Sequence, residues 1–161
     1  STERSTMRIP AFLAILVLLN CCDNSRVYEK NYDFAERQWL ISEKPSFEFT
    51  VANNQSYNLY CNLRNDLTYP YSRIFITYTL KDSVGTELKK EMINSFLFDE
   101  KTGKPNGNSG LGDIYDQQFL LLKDYTFTQP GDYTIQFEQF MRTDSLHGVL
   151  AIGVRVENSL K

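Results

Sequence analysis

An all-β chain, folded as an antiparallel β-sandwich of immunoglobulin-like or jelly-roll-like type with seven or eight strands, is what three features of this sequence predict. Apolar and polar residues alternate with a period of two from Phe47 onward, and no apolar stripe of helical spacing runs longer than two turns. Aromatic residues are abundant, with 11 Phe and 10 Tyr beside a single Trp and a single His, which suits pleated, half-buried surfaces. Turn residues separate the apolar runs at short intervals, as in a sandwich or barrel.

The elements follow in chain order. Residues 7–23 read MRIPAFLAILVLLNCCD, with Arg8 ahead of an unbroken apolar run of nine residues, Ala11 to Leu19. A membrane-spanning helix needs about 20 such residues, so the run fits the apolar region of a secretory signal. Leu19-Asn20-Cys21-Cys22 then looks like a bacterial lipobox, where only a Cys sulfur can form the thioether to lipid. Cleavage before Cys21 would leave bulky Asn20 at the preceding position. Cleavage before Cys22 leaves the small Cys21 there and places Leu19 at the apolar position, so Cys22 is the expected lipidation site. Residues 1–21 are thus expected to be a signal peptide, with Met7 as candidate initiator. Residues 22–33 follow as lipidated N-terminus and tether, and 34–161 as the sandwich domain.

Within that domain Phe47, Phe49 and Val51 share one face of a first strand. Tyr57, Leu59, Cys61 and Leu63 share one face of the next, which makes Cys61 a buried small hydrophobe rather than a reactive thiol. Ile74, Ile76, Tyr78 and Leu80 form the third, leaving Phe75, like Tyr60 before it, on the outward side. Runs at Met92–Phe98 and Phe119–Phe127 follow, then strands carrying Tyr133, Ile135, Phe137 and Met141, and Leu150, Ile152, Val154 and Val156. Gln129-Pro130-Gly131-Asp132-Tyr133 places a tyrosine two residues after a Pro-Gly turn. In immunoglobulin-like sandwiches such a hydroxyl bonds back to the upstream chain. Asp99–Asp116 is the longest connection and holds four of the eight glycines, a stretch expected to be functional or mobile.

Chemistry-bearing residues are scarce. With 17 basic and 20 acidic side chains, net charge −3, the chain has no cationic excess to neutralise phosphates, so nucleic acid is not an expected partner. His147 is the only histidine, in a hairpin-like turn with no nucleophile nearby, and catalysis by a Ser–His or Cys–His pair is not expected. One His and one buried Cys cannot furnish a zinc site. Asp99, Glu100, Asn106, Asn108, Asp113 and Asp116 crowd one loop, yet the ordered spacing of a calcium loop is absent. Gly103-Lys104 and Gly110-x-Gly112 do not form a phosphate loop. No catalytic residue, metal or soluble cofactor is expected, only the covalent lipid on Cys22.

Several runs together resemble one family, the gliding-motility lipoprotein GldH family of the Bacteroidetes. They are Val27-Tyr28-Glu29-Lys30, Lys44-Pro45-Ser46-Phe47, Tyr57-Asn58-Leu59-Tyr60 and Asn62-Leu63-Arg64-Asn65. Tyr69-Pro70-Tyr71-Ser72-Arg73, Gly110-Leu111-Gly112-Asp113-Ile114-Tyr115, Pro130-Gly131-x-Tyr133 and Glu138-Gln139-Phe140-Met141-Arg142 complete the set. The resemblance implies a non-enzymatic, lipid-anchored cell-envelope component of the gliding machinery. Its partners would be other gliding-motility lipoproteins or secretion machinery. An outer-membrane location is implied, and the lack of an acidic cluster after Asp23 favours the periplasmic face. Tyr69, Tyr71, Arg73 and the Gly110, Gly112, Asp113, Tyr115 loop are the candidate partner-binding residues, because aromatics and arginine in connections are typical interface anchors. The alternative is a lipid-anchored carbohydrate-binding module using exposed aromatics such as Tyr60 and Tyr71.

Overall fold

A computed structural model describes residues 25–159; the signal segment, Cys21 and Cys22 lie outside the described residues. Among those described, the strands are β1 (Arg26–Asp33), β2 (Gln38–Leu40), β3 (Ser46–Val51), β4 (Ser56–Asp66), β5 (Arg73–Lys81) and β6 (Glu87–Phe96). They continue with β7 (Asn108–Ser109), β8 (Ile114–Thr126), β9 (Gly131–Gln139), β10 (Ser145–His147) and β11 (Val149–Asn158). The count is eleven rather than seven or eight, because β2, β7 and β10 are only two or three residues long. Segments that short carry no readable alternation.

One sheet has the order β1-β11-β4-β8-β7, another β3-β9-β5-β6, and β10 pairs with β2. The eight long strands pair from the outside in: β1 with β11, β3 with β9, β4 with β8, β5 with β6, all antiparallel. That nesting is a long hairpin rolled upon itself, the jelly-roll arrangement and not the immunoglobulin one. The sheets face each other across a single core. Tyr28 of β1 meets Phe49 of β3 at 6.1 Å between ring centroids. Phe127 contacts the rings of Phe49, Tyr57 and Tyr133. The inward sets expected on β3, β4 and β5 are buried, Cys61 among them, as are Ile152, Val154 and Val156 of β11. Leu150 is only half-buried, because the register against β4 shifts between Val149 and Ala151 and Val149 is the buried residue there. Full burial of such a side chain contributes about 1.5–3 kcal/mol.

Three local outcomes differ from expectation. The tether expected over 22–33 is in fact strand from Arg26, paired along β11 from Glu157 to Ala151. It was hidden because it is an edge strand that presents mainly polar side chains. The run from Phe119 to Thr126 belongs to one strand, β8, with Phe127 just past its end, and the register of β8 against β4 slips at Tyr57/Leu59 and at Leu59/Tyr60. Asp124 takes a positive φ of 50° there, and the bulge makes Leu122 the buried residue while Phe119, Leu121 and Tyr125 pack partly buried against the core. Met141 lies beyond β9, and its sulfur sits 3.2 Å from the Phe75 amide.

The tyrosine corner forms as expected, the Tyr133 hydroxyl donating to the Gln129 carbonyl at 2.6 Å. Trp39, absent from the alternating pattern, is fully buried. It stacks on Phe34 at 5.0 Å, and its indole N–H donates to the Glu43 carbonyl at 2.8 Å.

Burial pushes the Cys61 thiol far above its ordinary range. In native protein Cys61 is therefore expected to resist a thiol reagent over hours and to react within seconds in 6 M guanidinium, as read by dithionitrobenzoate absorbance. Rapid labelling of the folded chain would contradict the packing.

Candidate functional site

Strand direction gives the sandwich two unlike ends. Arg26, Ser56, Thr126 and Asn158 share one end of the five-stranded sheet, while Asp33, Asp66, Ile114 and Val149 share the other. In the four-stranded sheet Val51, Gly131 and Lys81 lie at the first end, and Ser46, Gln139 and Arg73 at the second. The three short strands β2, β7 and β10 all lie at the second end, joined there to Asp33, Tyr115 and Val149. It also carries the connections 67–72, 97–107 and 110–113, which hold every candidate partner-binding residue except Arg73 and Tyr115, the residues at or near the ends of β5 and β8.

Asp66, nearly excluded from solvent at the end of β4, is the hub of this end. Its carboxylate accepts the Thr68 hydroxyl at 2.6 Å and the Thr68 amide at 2.9 Å, and pairs with the Arg37 guanidinium at 3.1 Å. Its own amide donates to the Gly148 carbonyl at 3.0 Å, and the Gly148 amide donates to the Arg37 carbonyl at 2.9 Å. Gly148 has φ +80°, and a Cβ there would overlap the Tyr69 backbone, so glycine is required for the 66–69 turn to lie against β11. Burial alone would raise the Asp66 carboxyl, but the Thr68 and Arg37 hydrogen bonds outweigh it and hold it below the usual carboxylate range.

On this support rests a shallow cleft of about 480 Å³ between the 67–72 and 98–103 connections. Tyr69 does not offer itself to a partner. Only 4% exposed, it stacks on Phe98 at 6.4 Å, and its hydroxyl donates to the Arg73 carbonyl at 2.7 Å. Burial raises its phenol accordingly. Tyr69 instead props Tyr71, whose ring meets it edge-on at 5.9 Å and is 45% exposed. Leu67, 47% exposed, stands opposite the acids Asp99 and Glu100. Asp99 is fixed by the amides of Lys101 and Thr102, at 2.9 and 2.8 Å, and these bonds hold its carboxyl low. Sequence marks Asp99 and Glu100 only as members of an acidic loop and Phe98 only as the end of an apolar run, and Leu67 not at all; its available signal is an apolar residue stranded in a polar turn.

The other candidates do not join this cleft. Arg73 turns onto the outer face of the four-stranded sheet, its guanidinium over Phe96 at 4.6 Å and Phe75 at 5.5 Å, bonded to Asn94 at 2.5 Å. Gly110, Gly112 and Asp113 form an exposed turn closed by the Gly110 amide on the Ile114 carbonyl at 2.8 Å. Its tip, Leu111, is 91% exposed, and half-buried Tyr115 pairs in the ladder with Asn65 and Ser109. The turn shares the end but not the cleft.

The acids of the 99–116 connection are likewise dispersed, Asp116 being paired with Arg64 at 2.8 Å. Among the described residues no group of three or more His, Cys, Asp or Glu is placed to hold a metal ion. His147 lies exposed on β10, in register with Gln38.

Because the folded Asp66 carboxyl lies below its unfolded value of about 3.9, the stability it contributes is present above that value and lost as pH falls through the folded one. Asp66→Asn should cost about 1–3 kcal/mol at pH 7 in urea unfolding, and the gap from wild type should shrink on acidification to pH 2. A gap that does not change between those pH values would contradict the hub.

Comparison with known proteins then places the chain. A solved structure of the infectious bursal disease virus Gx strain aligns at a TM-score of 0.37 and 13% identity, spanning 38% of that chain, too distant to inform this one. A gliding motility lipoprotein GldH homolog of Christiangramia forsetii is 28% identical, covering 97% of this chain and 98% of its own length. The gliding motility lipoprotein GldH of Flavobacterium johnsoniae is 26% identical, covering 90% and 92%. With residues 26–156, β1 through most of β11, matched by the family model described as GldH lipoprotein, the chain belongs to the GldH lipoprotein family.

Proposed function

We propose that this gliding-motility lipoprotein is a non-enzymatic adaptor, held by lipid on Cys22 to the periplasmic face of the outer membrane, that binds another envelope protein through the loop end of its sandwich. The observation that carries this reading is the opposition of the two ends. Cys22 precedes Arg26 by four residues, a reach of at most about 14 Å of extended chain. β1 then runs its eight residues, about 26 Å, before the chain arrives at the elaborated end. The anchor thus enters at the plain end, and the cleft with Leu67 and Tyr71 is carried away from the lipid.

The cleft suits a protein partner presenting a basic residue. Leu67 and Tyr71 supply apolar and aromatic contact, and Asp99 and Glu100 supply negative charge. Other gliding-motility lipoproteins or the secretion machinery are the candidates. Arg73 contributes through the neighbouring outer face rather than through the cleft.

A photo-crosslinking amino acid placed in cells at Tyr71 or Leu67 tests this. Both positions should trap the same envelope protein, whereas Val84, 84% exposed in the β5–β6 turn at the plain end, should not. Tyr71→Ala should lower recovery of that partner about tenfold or more. Trapping from Val84 alone, or none from Leu67 and Tyr71, would contradict the reading.

A further inference from the structure

We propose that the outer face of the five-stranded sheet is a binding groove for a neutral oligosaccharide. Register places Asn31 of β1, Gly153 of β11, Asn62 of β4 and Gln118 of β8 in one row across four strands. The next row runs Asp33, Ala151, Arg64, Asp116, Asn108, and the row on the other side Glu29, Arg155, Tyr60, Leu120. Most of the first two rows, with Glu29 from the third, line a groove of about 280 Å³.

Its depth comes from a small side chain. Ala151 lies on the floor, and beside it the Asn31 side chain rests over buried Gly153, where a Cβ would overlap it and the Lys30 carbonyl. One wall is β7, which lies close because Gly107 has φ +84° and a Cβ there would overlap the Asp116 carbonyl and the Gln117 side chain.

The lining carries a small acidic excess, Glu29, Asp33 and Asp116 against Arg64 and Arg155, and is prearranged. Arg64 pairs with Asp116 at 2.8 Å, and Arg155 with Glu29 at 2.8 Å and Glu157 at 2.5 Å. With the guanidinium charges matched by these carboxylates, an anionic polymer gains nothing here. Gln118 donates its amide to the Asn62 carbonyl oxygen at 3.0 Å. That leaves the Asn62 amide as a donor and the Gln118 carbonyl as an acceptor, while exposed Asn31 adds one of each. Such alternating donors and acceptors match hydroxyl groups, which both donate and accept. The row spans about 14 Å at the strand spacing, room for a short run of sugar rings, and Tyr60 and Leu120 flank it with a surface on which the apolar face of a ring can stack. The groove borders the loop end at Asp33 and β7 but shares no lining residue with the cleft of Leu67 and Tyr71, so either surface can fail its test without the other.

Affinity electrophoresis of the full-length chain in detergent, in gels cast with laminarin, dextran, xyloglucan or hydroxyethyl cellulose, provides the test, with anionic alginate as comparison. At least one neutral glycan should retard wild type, and Asn62→Ala and Gln118→Ala should each weaken that retardation at least fivefold. Lys90→Ala, on the opposite sheet, should leave it unchanged, and each variant's circular dichroism should match wild type. Where a single variant misfolds, Asn31→Ala at the edge takes its place. No retardation by any neutral glycan, retardation by alginate alone, or retardation indifferent to all three groove substitutions would overturn the proposal.

Discussion

The pairing of the first strand with the last is the constraint on which the remaining structure depends. Once β1 lies along β11, the chain between them closes as nested antiparallel pairs, each inner pair confined by the one outside it. β11 is also hydrogen-bonded to β4, so removing β1 would open one whole side of the five-stranded sheet and expose Ile152, Val154 and Val156. Closure of so long a chain is entropically costly and slow to find. It is repaid by the aromatic core that forms only when both sheets face each other.

That closure also sets the molecule's two ends apart. β1 begins at the plain end, and the short strands β2, β7 and β10 lie where β1 ends. At the loop end a buried carboxylate, Asp66, replaces apolar packing as the organising group: it joins the 66–69 turn to Arg37 and, through Gly148, to the start of β11. Polar hubs of this kind fix geometry more than they add stability. Here the geometry fixed is that of Tyr69, which in turn holds Tyr71 at the surface.

Much of the frame was legible in the chain because alternation survives wherever one face of a strand is buried. Phe47, Leu59, Ile76 and Val154 all point inward as their neighbours imply, and the Pro-Gly turn before Tyr133 announced its hydrogen bond. The choice between sandwich types was not legible, since pairing partners a hundred residues apart leave no local trace. Arg26–Asp33 escaped notice because an edge strand can be polar on nearly every side chain. Tyr69 looked exposed because it sits in a turn. Its burial depends on Gly148, a contact across the fold. The groove residues are further from legible still: Asn31, Asn62, Gln118 and Ala151 are ordinary outward positions until register sets them side by side.

The role proposed here, a lipid-anchored, non-enzymatic jelly-roll that serves surface motility by presenting its loop end to a partner, is tested by colony spreading of a strain deleted for this protein and complemented by wild type or by Cys22→Ala. Deletion should abolish spreading, and only the chain able to carry lipid should restore it. Normal spreading after deletion, or full rescue by Cys22→Ala, would contradict it.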